Sequence, residues 1–175
     1  MIPLLLFLVF LNGSVRFDGL EIIGTTKFQL QVVTALTLLR EKSPQAYQIT
    51  TNHVQIIKQS QRSGMRLDLA TPTFELADPT AYYSITWCAS SIAHDSMHSK
   101  IYYDFLKANP GVQKPLDWNS QVDEEKKCNA HQLQVLRSVG APLLEINHCA
   151  AQDGKHADVN KDGKYDWDDY KKGNW

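Results

Sequence analysis

Two histidines one helical turn apart, His94 and His98, are spaced to hold a metal ion. At a separation of four they project from one face of a helix, so both imidazoles can close on the same cation. Trp87, Ser91, Ile101, Tyr102 and Phe105 share that face, which makes it an inward-facing surface where a metal could be held. A hydrolytic zinc site takes three protein ligands and leaves a fourth position for water. Glu125 is the expected third ligand. At about 100° per residue it falls near the middle of the face made by Cys128, Gln132, Val135, Leu136 and Val139. Glu124 lies further round but within reach, while His131, His148 and Cys128 share no clean spacing with the histidine pair.

A second set of ligand-type residues closes the chain. Asp158, Asn160, Asp162, Asp166 and Asp169 stand at positions 1, 3, 5, 9 and 12 of a twelve-residue stretch, with Gly163 at position 6, where the chain must turn sharply. Lys164 at position 7 would offer only its backbone carbonyl, so its charge is tolerated there. A hard cation such as calcium takes roughly six to eight oxygen ligands, and this spacing supplies that kind of donor set.

The stretch resembles the calcium loop of EF-hands, most closely the dockerin-type half-motif, which also ends with Asp at position 12. Such loops work in pairs elsewhere. The single loop here implies a structural calcium that staples the tail to the domain. The histidine helix, in turn, resembles the zincin metallopeptidases of the gluzincin pattern. There a helix bearing H-E-x-x-H is followed by a helix bearing E-x-x-A, whose Glu is the third zinc ligand. The matching residues here are His94-Asp95-Ser96-Met97-His98 and Glu125-Lys126-Lys127-Cys128, with Asp replacing Glu and Cys replacing Ala. The likeness implies a zinc ion as Lewis acid, Asp95 as general base and Tyr102 or Tyr103 as an oxyanion donor. Asp is shorter than Glu by one methylene, about 1.5 Å of reach, so the base must sit closer to the attacked water or act through a bridging solvent. Asp95 could instead orient a ligand histidine.

The expected function is a secreted zinc-dependent hydrolase stabilised by calcium, acting on a peptide or amide as a monomer. The alternative is a non-catalytic calcium-binding domain, an inactive zincin relative serving as a binding or adaptor module.

Composition narrows the field around these sites. The 175 residues suffice for one domain with a real core, and 43% are hydrophobic and 21% charged. A formal net charge of -1 with no basic face argues against nucleic acid as a main partner. The apolar run Met1 to Leu11 suits a signal-peptide core and is too short to span a bilayer, so residues 1–14 read as a signal segment and the protein as secreted or held in the cell envelope. A buried first strand leading into Val15-Arg16-Phe17 is the other reading. Three cysteines leave at least one unpaired within a monomer; Cys88 reads as packing, and Cys128 with Cys149 is the one conceivable bridge.

The elements that must position these residues can be traced by periodicity and punctuation. A strand is expected over Leu20–Ile23 and a helix from about Lys27 to Glu41, capped by Thr25 or Thr26. Ser43-Pro44 opens a second helix whose apolar residues Tyr47, Ile49, Val54, Ile56 and Ile57 fit a helix imperfectly and could form strand. Met65 to Ala70 alternates like a half-buried strand, Phe74 to Leu76 continues the sheet, and Asp78-Pro79-Thr80 reads as a turn. Helices follow over about 84–107, 119–139 and from Pro142 to about Gln152. The whole is an α+β fold, a mostly helical, zincin-like single domain over residues 15–152 with a small sheet. An EF-hand-like calcium tail follows over residues 153–175.

Overall fold

The computed structural model describes residues 9–11, 13–114, 118–155, 158–163 and 168–169. Its sheet grows from the apolar strand-formers near the N-terminus. Strands β1 (Val9–Leu11), β2 (Ser14–Phe17) and β3 (Leu20–Ile23) form an antiparallel meander. Residues 9–11 of the expected signal segment are therefore paired with β2, while residues 1–8 lie outside the described residues. The chain then crosses over through α1 (Thr26–Lys42) and α2 (Pro44–His53) to β4 (Ile56–Ser60), parallel to β3. Strand β6 (Thr73–Ala77) pairs in parallel with β4, and the short β5 (Gly64–Arg66) runs antiparallel along the outer edge of β6. The order across the mixed sheet is β1-β2-β3-β4-β6-β5.

Local chemistry sets most of the boundaries. The Thr25 hydroxyl accepts from Phe28 N at 3.3 Å and starts α1. Gly24 sits where a Cβ would come within 2.8 Å of both Gln59 Cβ and Phe28 Cδ1, so only glycine lets β3 turn into α1 there. The ambiguous segment after Pro44 contains both elements: helix as far as His53, then strand from Ile56.

Two expectations need correction. The strand from Met65 stops at Arg66, because Asp68 turns back to meet the Arg66 guanidinium at 2.8 and 2.7 Å and Leu69 is left 40% exposed, with no face to bury it. Asp78-Pro79-Thr80 begins a short helix, α3 (Asp78–Tyr83), in which Pro79 occupies the first turn that proline favours.

Helix α1 lies over β2 and β3, and α4 (Ile85–Ala108) lies over β5 and β6. Helix α4 is the hub: α1, α2, α3 and α5 (Trp118–Ser138) all pack on it, and α6 (Leu143–Ala150) packs on α5. Its small buried residues Ala89, Ser90, Ser91, Ala93, Ser96 and Ser99 allow neighbours to approach from several sides. Ser96 and Ser99 also tie it to α2, Ser96 Oγ donating to Thr50 Oγ1 at 3.0 Å and Ser99 Oγ to the His53 carbonyl at 2.6 Å. The core joins Ile22, Ile57, Phe74 and Leu76 of the sheet to Phe28, Val32 and Leu36 of α1 and Cys88, Ala89 and Ile92 of α4. All three cysteines are free and buried, so the Cys128–Cys149 bridge does not form. Among the described residues no helix is long and apolar enough to cross a membrane.

Candidate metal centre

The centre lies where α4 meets α5. Ser84 caps α4, its hydroxyl accepting from Trp87 N at 2.8 Å, and the helix runs unbroken past both histidines. On α5, Glu125, Cys128, Asn129 and Gln132 are all buried, the spacing of a single helical face turned toward α4. Gln132 Nε2 donates to Ser90 Oγ at 3.3 Å and helps fix the register of the two helices.

That packing brings the expected ligands together. His94 Nε2 and His98 Nε2 are 3.1 Å apart, His98 Nε2 is 3.1 Å from Glu125 Oε1, and His94 Nε2 is 3.5 Å from Glu125 Oε2. A tetrahedral zinc with bonds of about 2.0 Å requires ligand atoms about 3.3 Å from one another. The spacing of the two imidazoles is close to that separation, while the two Glu125 contacts are made by different carboxylate oxygens.

Glu124 has a different part. Its Oε1 lies 3.0 Å from His98 Nδ1, the nitrogen turned away from the triangle, and its other oxygen pairs with Lys114. A carboxylate on the far nitrogen fixes the tautomer and ring orientation of a ligating histidine. The two adjacent glutamates thus divide the work: Glu125 meets both histidines, and Glu124 steadies one of them. Their adjacency in the sequence carries the pair but not the division, and nothing in it signals Lys114.

The electrostatics follow from burial and these contacts. Burial alone would lower the basicity of His98, but Cys128, Glu125 and Glu124 around it raise it well above its ordinary value. Burial works against the Glu125 carboxylate, yet His98 and His94 hold it well below the usual range. Glu124 is likewise penalised by burial and held low by His98 and Lys114. Asp95 is pushed up to about 6 by burial, with His94 and His98 opposing, and the Met65 backbone N–H of β5 donates to its carboxylate.

Cys128 comes closer than its spacing suggested. One ligand atom each of His94, His98 and Cys128 lies within 4.8 Å of the other two, and the thiol is fully buried. Burial pushes that thiol up, with His98 opposing. Tyr102 and Tyr103 stack edge to face at 5.3 Å one turn beyond His98, and neither lines the cavity that reaches His94. His131 also falls outside the triangle.

A cavity of about 560 Å³ opens beside the centre, its wall including His94, Asp95, Ser91, Trp87, Glu145 and His148. Its size is ordinary for a small-molecule or peptide side-chain pocket. No local sequence pattern marks it, because its wall draws on α3, α4, α5 and α6 together with Ser63 from the loop before β5.

In the C-terminal loop, Asp158 Oδ1 accepts from Asp162 N at 3.1 Å and Oδ2 from Gly163 N at 3.0 Å. Asn160 Oδ1 accepts from Asp162 N at 2.9 Å. The buried Asp169 folds back across the loop and accepts from Val159 N at 2.9 Å and Asn160 N at 3.2 Å. Gly163 takes the turn with φ of 80°. Asp158, Asn160, Asp162 and Asp169 thus share one closed turn, while Lys164 and Asp166 lie outside the described residues.

No protein-family model, curated protein or solved structure matches the chain.

Proposed function

We propose that this chain is a zinc-dependent hydrolase of the metallopeptidase type whose tail is fastened by calcium. The observation that carries the reading is the triangle of His94 Nε2, His98 Nε2 and the Glu125 carboxylate, with sides of 3.1, 3.1 and 3.5 Å. When bound there, zinc supplies Lewis-acid polarisation and a water that is nucleophilic at neutral pH. Asp95, beside His94 on the cavity wall, would serve as the proton acceptor when water adds to the amide carbonyl. It then returns the proton to the departing amine. The Met65 N–H orients the Asp95 carboxylate for this role. Glu124 and Lys114 keep His98 turned toward the ion. A calcium ion would be held by Asp158, Asn160, Asp162 and Asp169, joined by Asp166 and the Lys164 carbonyl from outside the described residues, and a secreted protein would meet calcium in plenty.

A second reading, a non-catalytic metal-stabilised binding module, is favoured by Cys128. A thiolate within reach of both imidazoles can take the fourth position, and four protein ligands make a closed, structural zinc site. Two measurements separate the readings. Metal analysis of the purified chain is expected to return one zinc per chain, lost in His94→Ala and His98→Ala. Cobalt in place of zinc then reports the fourth ligand, because a thiolate gives an intense near-ultraviolet charge-transfer band. Cleavage of a mixed peptide library with no such band supports the hydrolase. A strong band with no cleavage overturns it in favour of the structural site.

A further inference from the structure

The cavity beside the centre holds a buried acid that the proposed hydrolysis does not use. Glu145, in the first turn of α6, is only 4% exposed. Its Oε2 accepts from Thr86 Oγ1 at 2.6 Å, and the carboxylate forms part of the cavity wall. The described ion pairs give it no cation: every Lys and Arg among them is committed to a different acid. Among the described residues no Lys or Arg lines the cavity, whereas a second carboxylate, Asp95, does. Carboxylates this deeply buried are almost always paired, so the vacancy invites a cation from outside.

The rest of the wall suits such a guest. Trp87 stands at the centre of an aromatic run, edge to face with Tyr83 at 5.9 Å and with His148 at 5.5 Å. Tyr83 and Trp87 both line the cavity, and Tyr83 is largely exposed at its rim. Indole and phenol faces attract an ammonium or guanidinium group within about 6 Å. Their apolar surface also accommodates the methylene stem that carries such a group. A buried acid and aromatic rings in one wall, with His94 and His148 as its described basic side chains, suit an alkyl cation.

We propose that this cavity is the specificity pocket of the enzyme and that it takes a substrate's alkylammonium or guanidinium group. Glu145 is the ion-pairing residue, and Trp87 and Tyr83 are the walls. The group is that of a Lys or Arg side chain beside the scissile amide, since His94 and Asp95 line the same cavity as Glu145. The inference rests on the hydrolase reading, and its test separates the two.

The zinc-loaded full chain is assayed on peptides blocked at both ends that carry Lys, Arg, norleucine or Glu at one position. A parallel set has free N-termini, which distinguishes a side-chain cation from an α-amine. Binding of Nα-acetyl-argininamide and Nα-acetyl-norleucinamide to the same protein is followed through tryptophan fluorescence. The expected kcat/KM favours Lys and Arg over norleucine by roughly 10–100-fold, and Glu145→Gln, which keeps the oxygen that accepts from Thr86, removes that preference. Argininamide binds the wild type and not the variant. If peptides are cleaved with no charge preference, or Glu145→Gln retains it, the pocket is refuted and the hydrolase stands. If no peptide is cleaved but argininamide binding depends on Glu145, the cation site stands and the hydrolase reading fails.

Discussion

The α4–α5 centre and the C-terminal acidic loop draw on similar ligand residues in opposite ways. In the loop the donors belong to one run of twelve residues, and their side chains close on backbone amides of the same run, Asp158 on Gly163 N and Asp169 on Val159 N. In the centre the donors come from two helices, and carboxylates meet imidazoles across the helix interface. The loop can hold its turn through its own hydrogen bonds. The centre exists only where α4 packs on α5. A cation in the loop therefore adds local closure, while a cation in the centre cross-links the domain, and the two should differ in how far their loss is felt.

The largest effect tests that contrast directly. His94→Ala or Glu125→Ala is expected to remove the bound zinc, with an affinity loss beyond the roughly 10–100-fold typical of a supporting group. Each should also lower the melting temperature of the whole domain, because the cross-link between α4 and α5 goes with the metal. Zinc content with differential scanning calorimetry reads both. Full-strength zinc binding in both variants would place the metal elsewhere and dissolve the comparison.

Next in size is Asp95→Asn, which should leave zinc content intact and reduce kcat by roughly 10²–10⁴-fold. Unchanged kcat on a cleaved peptide would assign Asp95 to orientation alone. Glu124→Gln acts at one remove and should weaken zinc by roughly 10–100-fold. The metal-free protein also makes a pH prediction. The carboxylates and thiol around His98 raise it above its ordinary value, which favours its protonated form when no metal is present. Ligation needs the neutral ring, so zinc uptake releases that proton. Affinity should accordingly fall about tenfold per pH unit as pH drops below the raised value. Calorimetry in buffers of different ionisation enthalpy counts the protons released. Zero released at pH 7 would contradict the geometry around His98.

How far each region could be read from sequence follows the same division. His94 and His98 are legible because a separation of four fixes a shared helical face whatever surrounds it. Glu125 is legible as a buried position on α5, since periodicity places it among apolar neighbours. The roles of Glu124 and Cys128 are not, because they depend on how α5 rotates against α4, which no local pattern encodes. Glu145 and the cavity are further from view still, assembled from four helices and the loop at Ser63. In the fold, Leu20–Ile23 and the three long helices follow from caps and periodicity. The edge strand is overextended by two-residue alternation that ignores the Arg66–Asp68 contact. The short α3 is mistaken for a turn because Asp-Pro-Thr opens either one.

The smallest effect is the most searching, because it asks whether the two regions are independent. They meet at Gly154, which, with φ of 84°, sits where a Cβ would come within 2.6 Å of the Val122 carbonyl and 3.0 Å of Lys126 Cγ. The tail thus touches α5 one turn before Glu125, on the helix that carries half of the metal centre. If the loop binds calcium and only closes itself, Asp158→Ala should cost calcium and up to about 2.7 kcal/mol of stability at a calcium concentration a hundredfold above Kd. Zinc affinity should then shift less than about fivefold, the lower end of a typical coupling between sites. Gly154→Val, by contrast, strains the left-handed backbone and collides with α5, so it should weaken calcium and zinc together. Competition titrations of zinc on both variants decide the point. A large zinc shift in Asp158→Ala would mean that the loop braces α5 through the Gly154 contact, and that the local site reaches as far as the non-local one.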